Sequence, residues 1–266
     1  MTLLEKLNEC RICKSNDIQI ILKLKDTPLE DQFLQKKKYQ PLYPLEVAMC
    51  RNCSYVFLPH VINPDTSYDD YIYESSVTVG LEDHYKTYAQ EIIKSYKIKK
   101  NSLALDLGSN DGSMLKAFLK EDMKVLGVEP AKKISDFANE IKLRTINNFF
   151  SEQLARKIIK EEGQASIITA NYMFANIHNL QNFLSGVKLL LDNDGIFIIQ
   201  TGYHPYQFSK NMFDYIYHEH FSYFTLKTLS YLLNDFELEI VDAKILKPKG
   251  GSIRVFVKNK SIKNLQ

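Results

Sequence analysis

The sequence predicts an α/β fold: a mixed, mostly parallel sheet of seven strands with helices between them, preceded by a small metal-stapled β module. Three observations predict it. From residue 102 onward, short apolar runs alternate with amphipathic stretches, the pattern of successive β-α-β units. The last two apolar runs are joined by a short connection, which makes them an antiparallel pair. All four cysteines fall in two Cys-x-x-Cys pairs before residue 54.

In chain order, residues 1–63 form the module, and the prolines of "TPLEDQFLQKKKYQPLYPLEVAMC" punctuate short strands there rather than helices. Residues 64–101 are a linker and a connecting helix. The linker carries the tyrosine-rich "PDTSYDDYIYESS"; in the stretch that follows, Leu81, Tyr85, Tyr88, Ile92 and Tyr96 recur at helical spacing. Residues 102–266 hold the sheet, with strands expected at 102–108, 124–130, 143–147, 165–171 and 195–201 and helices at 112–120, 131–140, 151–162 and 179–191. A helix over "TLKTLSYLLNDF" and the strands "ELEIVDAKILK" and "GSIRVFVKN" complete it.

An apolar fraction of 45%, a charged fraction of 25% and a net charge of +2 describe an ordinary globular chain and argue against a polyanion-binding surface. No apolar run reaches the roughly 18–20 residues of a membrane span, and "MTLLEKLNECRIC" lacks the apolar core of a signal peptide, so a cytoplasmic protein with no membrane partner is expected. In that reducing compartment Cys10, Cys13, Cys50 and Cys53 are expected to hold a structural zinc ion. Two knuckles supply four thiolates and leave no open coordination position. Only Arg11, Lys14 and Arg51 lie close to these knuckles, too few cations for a nucleic-acid partner.

"LALDLGSNDGSML" places Asp106, Gly108, Asn110, Asp111 and Gly112 between the first strand of the sheet and the next helix. The loop lacks the third glycine of a dinucleotide fingerprint and the lysine of a phosphate loop, and it is acidic, which suits a cationic cofactor bearing an amino acid. Glu129, followed by Pro130, ends the second strand where a carboxylate can take both hydroxyls of a ribose. With Asn171 after the fourth strand and the antiparallel closing pair, these features resemble the class I S-adenosylmethionine-dependent methyltransferase fold, a Rossmann-like mixed seven-stranded sheet.

The order of CxxC, CxxC, "YIYESS", "DLGSNDG", "GVEPA", "NNFFSEQLA", "FANIHNL", "IYHEHFSYF" and "GGSIRV" resembles, over nearly the whole chain, the sugar C-methyltransferase family. That resemblance implies a zinc module, a methyltransferase core and a nucleotide-linked sugar as small-molecule acceptor in surface-polysaccharide synthesis. It implies that Asp106, Gly108, Asn110, Glu129 and Asn148–Phe149 line the S-adenosylmethionine site. Tyr73, Tyr217, Glu219 and His220 would face the sugar, with His220 as base. Two departures are visible. Asn176 stands where the family usually has a histidine, with His178 two places on, and the sequence ends at Gln266, without the family's further C-terminal domain. Both suit the simpler oxygen acceptor, with C-methylation of a nucleotide-linked ketosugar as the alternative and a zinc-ribbon binding protein as a distant one. In "YHEH", His218 and His220 lack the i, i+4 spacing of a helical zinc pair, and Phe213, Ile216, Phe221 and Phe224 read as core.

Overall fold

The structure is a computed structural model that describes residues 3–30, 36, 38–63, 80–247 and 250–260. Tyr73 and the rest of the tyrosine-rich linker lie outside the described residues. Among the described residues the first part of the chain is all β: β1 (Leu4–Lys6), β2 (Ile18–Lys23), β3 (Glu46–Cys50), β4 (Val56–Phe57) and β5 (His60–Ile62). β2, β3 and β4 pair antiparallel, and β1 pairs with β5. Each Cys-x-x-Cys turn closes with a backbone bond to its first cysteine, from Lys14 N to Cys10 O at 3.1 Å and from Ser54 N to Cys50 O at 2.9 Å. Lys14 and Ser54 take left-handed φ values of 60° and 65° to end these knuckles.

The rest of the chain alternates as the periodicity requires: α1 (Leu81–Ser95), β6 (Leu103–Leu107), α2 (Ser113–Leu119), β7 (Lys124–Glu129), α3 (Lys132–Glu140), β8 (Thr145–Asn147), α4 (Glu152–Glu162) and β9 (Ala165–Asn171). α5 (Leu180–Leu190), β10 (Leu191–Gly202), α6 (His204–Ser209), β11 (Ser222–Tyr223), α7 (Leu226–Asn234), β12 (Leu238–Leu246) and β13 (Ser252–Asn259) complete it. Seven strands form one sheet in the order β12-β13-β10-β9-β6-β7-β8. β10, β9, β6, β7 and β8 are parallel neighbours, and β13 runs antiparallel between β10 and β12. β10 starts earlier than expected because Leu191 already pairs with Ala165, before a register shift over the polar residues 192–194.

Period-two burial explains how the sheet holds two helical layers. Leu103, Leu105, Leu107, Phe197 and Ile199 face one core with α4, α5 and α7, while Ala104, Ile167, Ile196 and Ile198 face the other with α1 and α2. The first of these cores also contains Cys10, Ile12, Tyr55 and Phe57, so the cysteine module packs on that face. Phe221 and Phe224 are buried as expected and Ile216 is half-buried. Phe213 instead is 74% exposed, because it sits on a single 3-10 turn at the surface. Among the described residues no helix is long and apolar enough to cross a membrane.

Candidate active site

A cavity of about 790 Å³ opens at the carboxyl ends of β6, β7, β9 and β10. This is the switch point of an open α/β sheet, where strand order reverses and the loops part. Gly108, Asn110, Glu129, Pro130 and Asn171 line it from the strand ends, and Asn148 and Phe149 from the loop after β8. Gly108 has φ +67°, and a Cβ there would stand 2.8 Å from Met173 Cγ, so only glycine fits the turn. The Glu129 carboxylate accepts Asn110 N at 2.9 Å on one oxygen and Ala131 N at 2.8 Å on the other. Burial pushes this carboxyl upward against those two bonds, and each oxygen keeps a second acceptor site.

Asp106, Asp111 and Gly112 do not line the cavity; they hold the loop from behind. Asp106 Oδ1 accepts Thr169 Oγ1 at 2.6 Å and Asn171 Nδ2 at 3.3 Å. Asp111 Oδ1 accepts Ser113 N at 3.1 Å and Ser113 Oγ at 2.6 Å. Gly112, at φ +80°, opens α2, and a Cβ on it would meet Leu143 Cδ1.

The far wall of the same cavity carries Asn176, His178, Tyr217, Glu219 and His220. His220 Nδ1 lies 2.8 Å from the Tyr215 carbonyl oxygen, and its Nε2 lies 2.8 Å from the Tyr217 hydroxyl. A carbonyl only accepts, so in the neutral ring Nδ1 carries the hydrogen and Nε2 offers its lone pair to the tyrosine. Asn176 Nδ2 donates to Glu219 Oε2 at 3.4 Å. His178 lies at the cavity edge, with Nε2 4.0 Å from Glu5. His218 is a packing residue: it is buried, its Nδ1 is 3.3 Å from Glu30 Oε2, and its ring meets Tyr43 edge-on. Sequence reasoning missed Glu30 and the buried Arg11, which hold this wall from the module side, and Tyr172 and Tyr223, which line the cavity. No spacing rule marks any of the four.

The donor set tests the expected cofactor. Among the described residues that line the cavity the charged groups are Glu129, Asp214 and Glu219, with no lysine or arginine. Asn171 Oδ1 and Asn176 Oδ1 are buried there without a hydrogen-bond partner among the described residues. A wall of acceptors and carboxylates fits a cationic, hydroxyl-bearing molecule such as S-adenosylmethionine.

The four cysteines meet away from this cavity. Cys10 Sγ lies 3.6 Å from Cys53 Sγ, Cys13 Sγ lies 3.5 Å from Cys50 Sγ, and all four sulfurs are within 4.8 Å of one another. Thiolates about 2.3 Å from one tetrahedral zinc ion stand about 3.8 Å apart, so number, chemistry and spacing all fit zinc. Burial pushes the Cys10 thiol up and the Cys53 thiol up to about 11, so these two need a metal's charge beside them to bind as thiolates. At Cys13 burial is outweighed by hydrogen bonds from Asn52 and the Ser15 backbone, which bring the thiol down to about 7.

Comparison with known proteins agrees with this geometry. Residues 10–68 match a family model described as "Putative zinc binding domain", and residues 82–243 match the methyltransferase domain family. The chain belongs to the S-adenosylmethionine-dependent methyltransferase family. This methyltransferase is 32% identical over 253 residues to C-methyltransferase NovU of Streptomyces niveus, covering 94% of the chain and 60% of the relative. The match spans about three fifths of the relative's length, and it bears out the resemblance to the sugar C-methyltransferases. A methyltransferase from Archaeoglobus fulgidus has the same fold, with a TM-score of 0.53 and 14% identity over 66% of this chain and 94% of its own. One from Clostridium acetobutylicum gives a TM-score of 0.51 and 14% identity over 70% and 94%.

Proposed function

We propose that this methyltransferase transfers a methyl group to a carbon beside a carbonyl in a nucleotide-linked sugar, as a cytoplasmic step toward a surface polysaccharide. The observation that carries the reading is the His220 ring: its Nδ1–H is held by a backbone carbonyl, and its basic Nε2 lines the same cavity as Gly108 and Glu129. The name of the 32%-identical relative supports a carbon acceptor.

S-adenosylmethionine, when bound, supplies a methyl group on a sulfonium. The chain has to place an acceptor in line with it, exclude water and move one proton. Glu129 takes the ribose hydroxyls on its free lone pairs, and the Gly108 turn lets the backbone approach. A carbon beside a carbonyl becomes a nucleophile only after losing a proton, and His220 Nε2 is the base for that step. Swinging the Tyr217 hydroxyl off Nε2 frees the base and releases a donor for the enolate oxygen. Glu219 and Asn176, tied to each other, hold the sugar's hydroxyls, and Tyr73 is assigned to the same wall by the resemblance alone.

The oxygen acceptor favoured on sequence grounds is the second reading, and Asn176 is the observation behind it. An amide takes no proton, which leaves a single base, enough for a hydroxyl.

Solvent exchange separates the two. Incubated in D2O without cofactor, the wild type should exchange the proton beside the carbonyl of a nucleotide-linked ketosugar, and His220→Ala should not. That variant should still bind S-adenosylmethionine in a calorimeter while turnover falls by about 10²-fold or more. Methylation of a hydroxyl without any exchange would move the assignment to oxygen. No binding of the cofactor at millimolar concentration would remove both readings.

A further inference from the structure

Arg11 stands between the two cysteines of the first knuckle, yet its side chain leaves the module. It is 7% exposed. Nη2 donates to the carbonyl oxygens of Ile177 at 2.5 Å and His178 at 2.6 Å, and Nη1 donates to Ser222 Oγ at 3.0 Å. The guanidinium lies 5.5 Å from the centre of the Phe221 ring, and the Arg11 carbonyl accepts Gln181 Nε2 at 2.9 Å. Each of these contacts falls on the acceptor wall or just behind it. Ile177 follows Asn176 directly, and Ser222 comes two residues after His220.

We propose that Arg11 is a positioning residue: it transmits the geometry of the four-cysteine knuckle to Asn176 and His220, so that the metal module shapes the acceptor site without touching the cofactor site. This rests on the activity proposed above.

The contact set is specific to arginine. A planar fork with five N–H donors can serve two adjacent carbonyls and a hydroxyl at once, whereas an ammonium is a single point donor. Burying a charge is costly unless it is hydrogen-bonded, and here its partners are two main-chain carbonyls in the loop after β9 and the Ser222 hydroxyl. The module grips the wall at other points as well. Tyr55 OH donates to the same Ser222 Oγ at 2.6 Å, and β11 pairs with β4 through Ser222↔Phe57 and Tyr223↔Val56. Arg11 differs from these in reaching both halves of the wall, the segment behind Asn176 and the segment behind His220. It also sits in the turn whose shape the cysteines fix: Lys14 N bonds Cys10 O across it. A knuckle loosened by metal loss therefore moves the fork, and the fork moves the wall. Gly108, Asn110 and Glu129 are held by bonds within the sheet domain and are untouched.

The test compares the zinc-loaded full chain with Arg11→Met, which keeps the stem and loses the fork, and Arg11→Lys, which keeps the charge. Expected for Arg11→Met are full zinc content by atomic emission and S-adenosylmethionine affinity within about twofold of wild type. Hydrogen exchange should be faster in residues 174–181 and 217–224 alone. With the ketosugar that shows solvent exchange, kcat should fall by about 10²-fold, the cost of a misplacement of about 1 Å, while KM for the cofactor holds. Arg11→Lys should recover part of both losses. Unchanged exchange in the two segments, or an unchanged kcat, overturns the proposal. Should Arg11→Met fail to load zinc, Arg11→Lys decides by the same exchange measurement, and wild-type exchange in it is equally fatal. The exchange readout needs no acceptor, so its failure sinks the role of Arg11, whereas failure of the wild type to bind S-adenosylmethionine sinks the activity.

Discussion

Asp106 is a buried carboxyl whose environment works against its charge. Burial pushes it up to about 7; the Thr169 and Asn171 bonds oppose that, and the neighbouring Glu129 and Asp111 carboxyls add to it. Because the folded state holds this proton more tightly than the unfolded chain, its contribution to stability is fully present below the ordinary carboxylate range, near pH 4. It is lost as pH rises through about 7. The melting temperature of the wild type should therefore fall between about pH 4 and pH 7 and level off above that, relative to Asp106→Asn, which binds metal with the same pH dependence and so serves as its reference. Parallel curves would show that Asp106 is ionised throughout. Glu129 behaves differently on substitution, since both its oxygens accept backbone N–H groups. Glu129→Gln presents an NH2 to one of those donors, and the affinity for S-adenosylmethionine measured by calorimetry should drop about ten- to hundredfold, the worth of a hydrogen bond to a charged acceptor. The place of Glu129 was legible because a strand end is a local signal, whereas Asp106 was expected in the cofactor wall and instead lies within β6, behind the loop, bonded to Thr169 and Asn171. Arg11 was read only as one of three cations near the knuckles, since nothing local says that its side chain crosses to residues 177, 178 and 222.

At the level of elements, the decisive piece is the segment from Tyr215 to Tyr223. Its aromatic and histidine content singled it out, and Tyr215, Tyr217, Glu219, His220, Ser222 and Tyr223 line the cavity. That it ends as β11, an edge strand added to the module's sheet, was not legible. Two residues give no periodic signal, and the partner β4 lies more than 160 residues away. The strands and amphipathic helices of the sheet were legible to within a few residues because strands buried on both faces read as short apolar runs and the helices between them keep an apolar stripe. Glu30 gives the wall a second hold: Oε1 accepts Glu219 N at 2.7 Å and Oε2 accepts His218 N at 3.3 Å. Burial opposes its charge, but the His218 ring and these N–H groups keep the carboxyl below its ordinary range. Glu30→Ala leaves two backbone donors without their acceptor and should destabilise the fold by about 1–3 kcal/mol in denaturant titration. Turnover should fall with it while cofactor affinity stays put; equal loss of both would mean that Glu30 supports the whole fold rather than the wall.

For the whole molecule, composition divides the chain at residues 63 and 101, but packing does not respect that division. Cys10, Tyr55 and Phe57 belong to the same buried cluster as Phe174, Phe224 and Leu229, and α1 covers the opposite face of the sheet with Tyr85, Tyr88 and Ile92. A module with its own core would melt alone, as small zinc-stapled folds do when the metal is removed. Here the module has only a small cluster of its own, Leu45, Val47, Val56 and Leu58 closed by Tyr223 of β11, and its inner face is the sheet domain's core, so exposing one exposes the other, and unfolding should be cooperative. Calorimetry of the zinc-loaded chain should show one transition, with the same midpoint by circular dichroism and by tyrosine fluorescence. Chelation should move that single transition down by about 10 °C or more, since even part of a structural zinc site's free energy is worth several kcal/mol and each displaces the midpoint by about 2–4 °C. Two separated transitions, with the upper one indifferent to the chelator, would mean that the shared core is too weak to couple the parts and that the cysteine module is an independent unit.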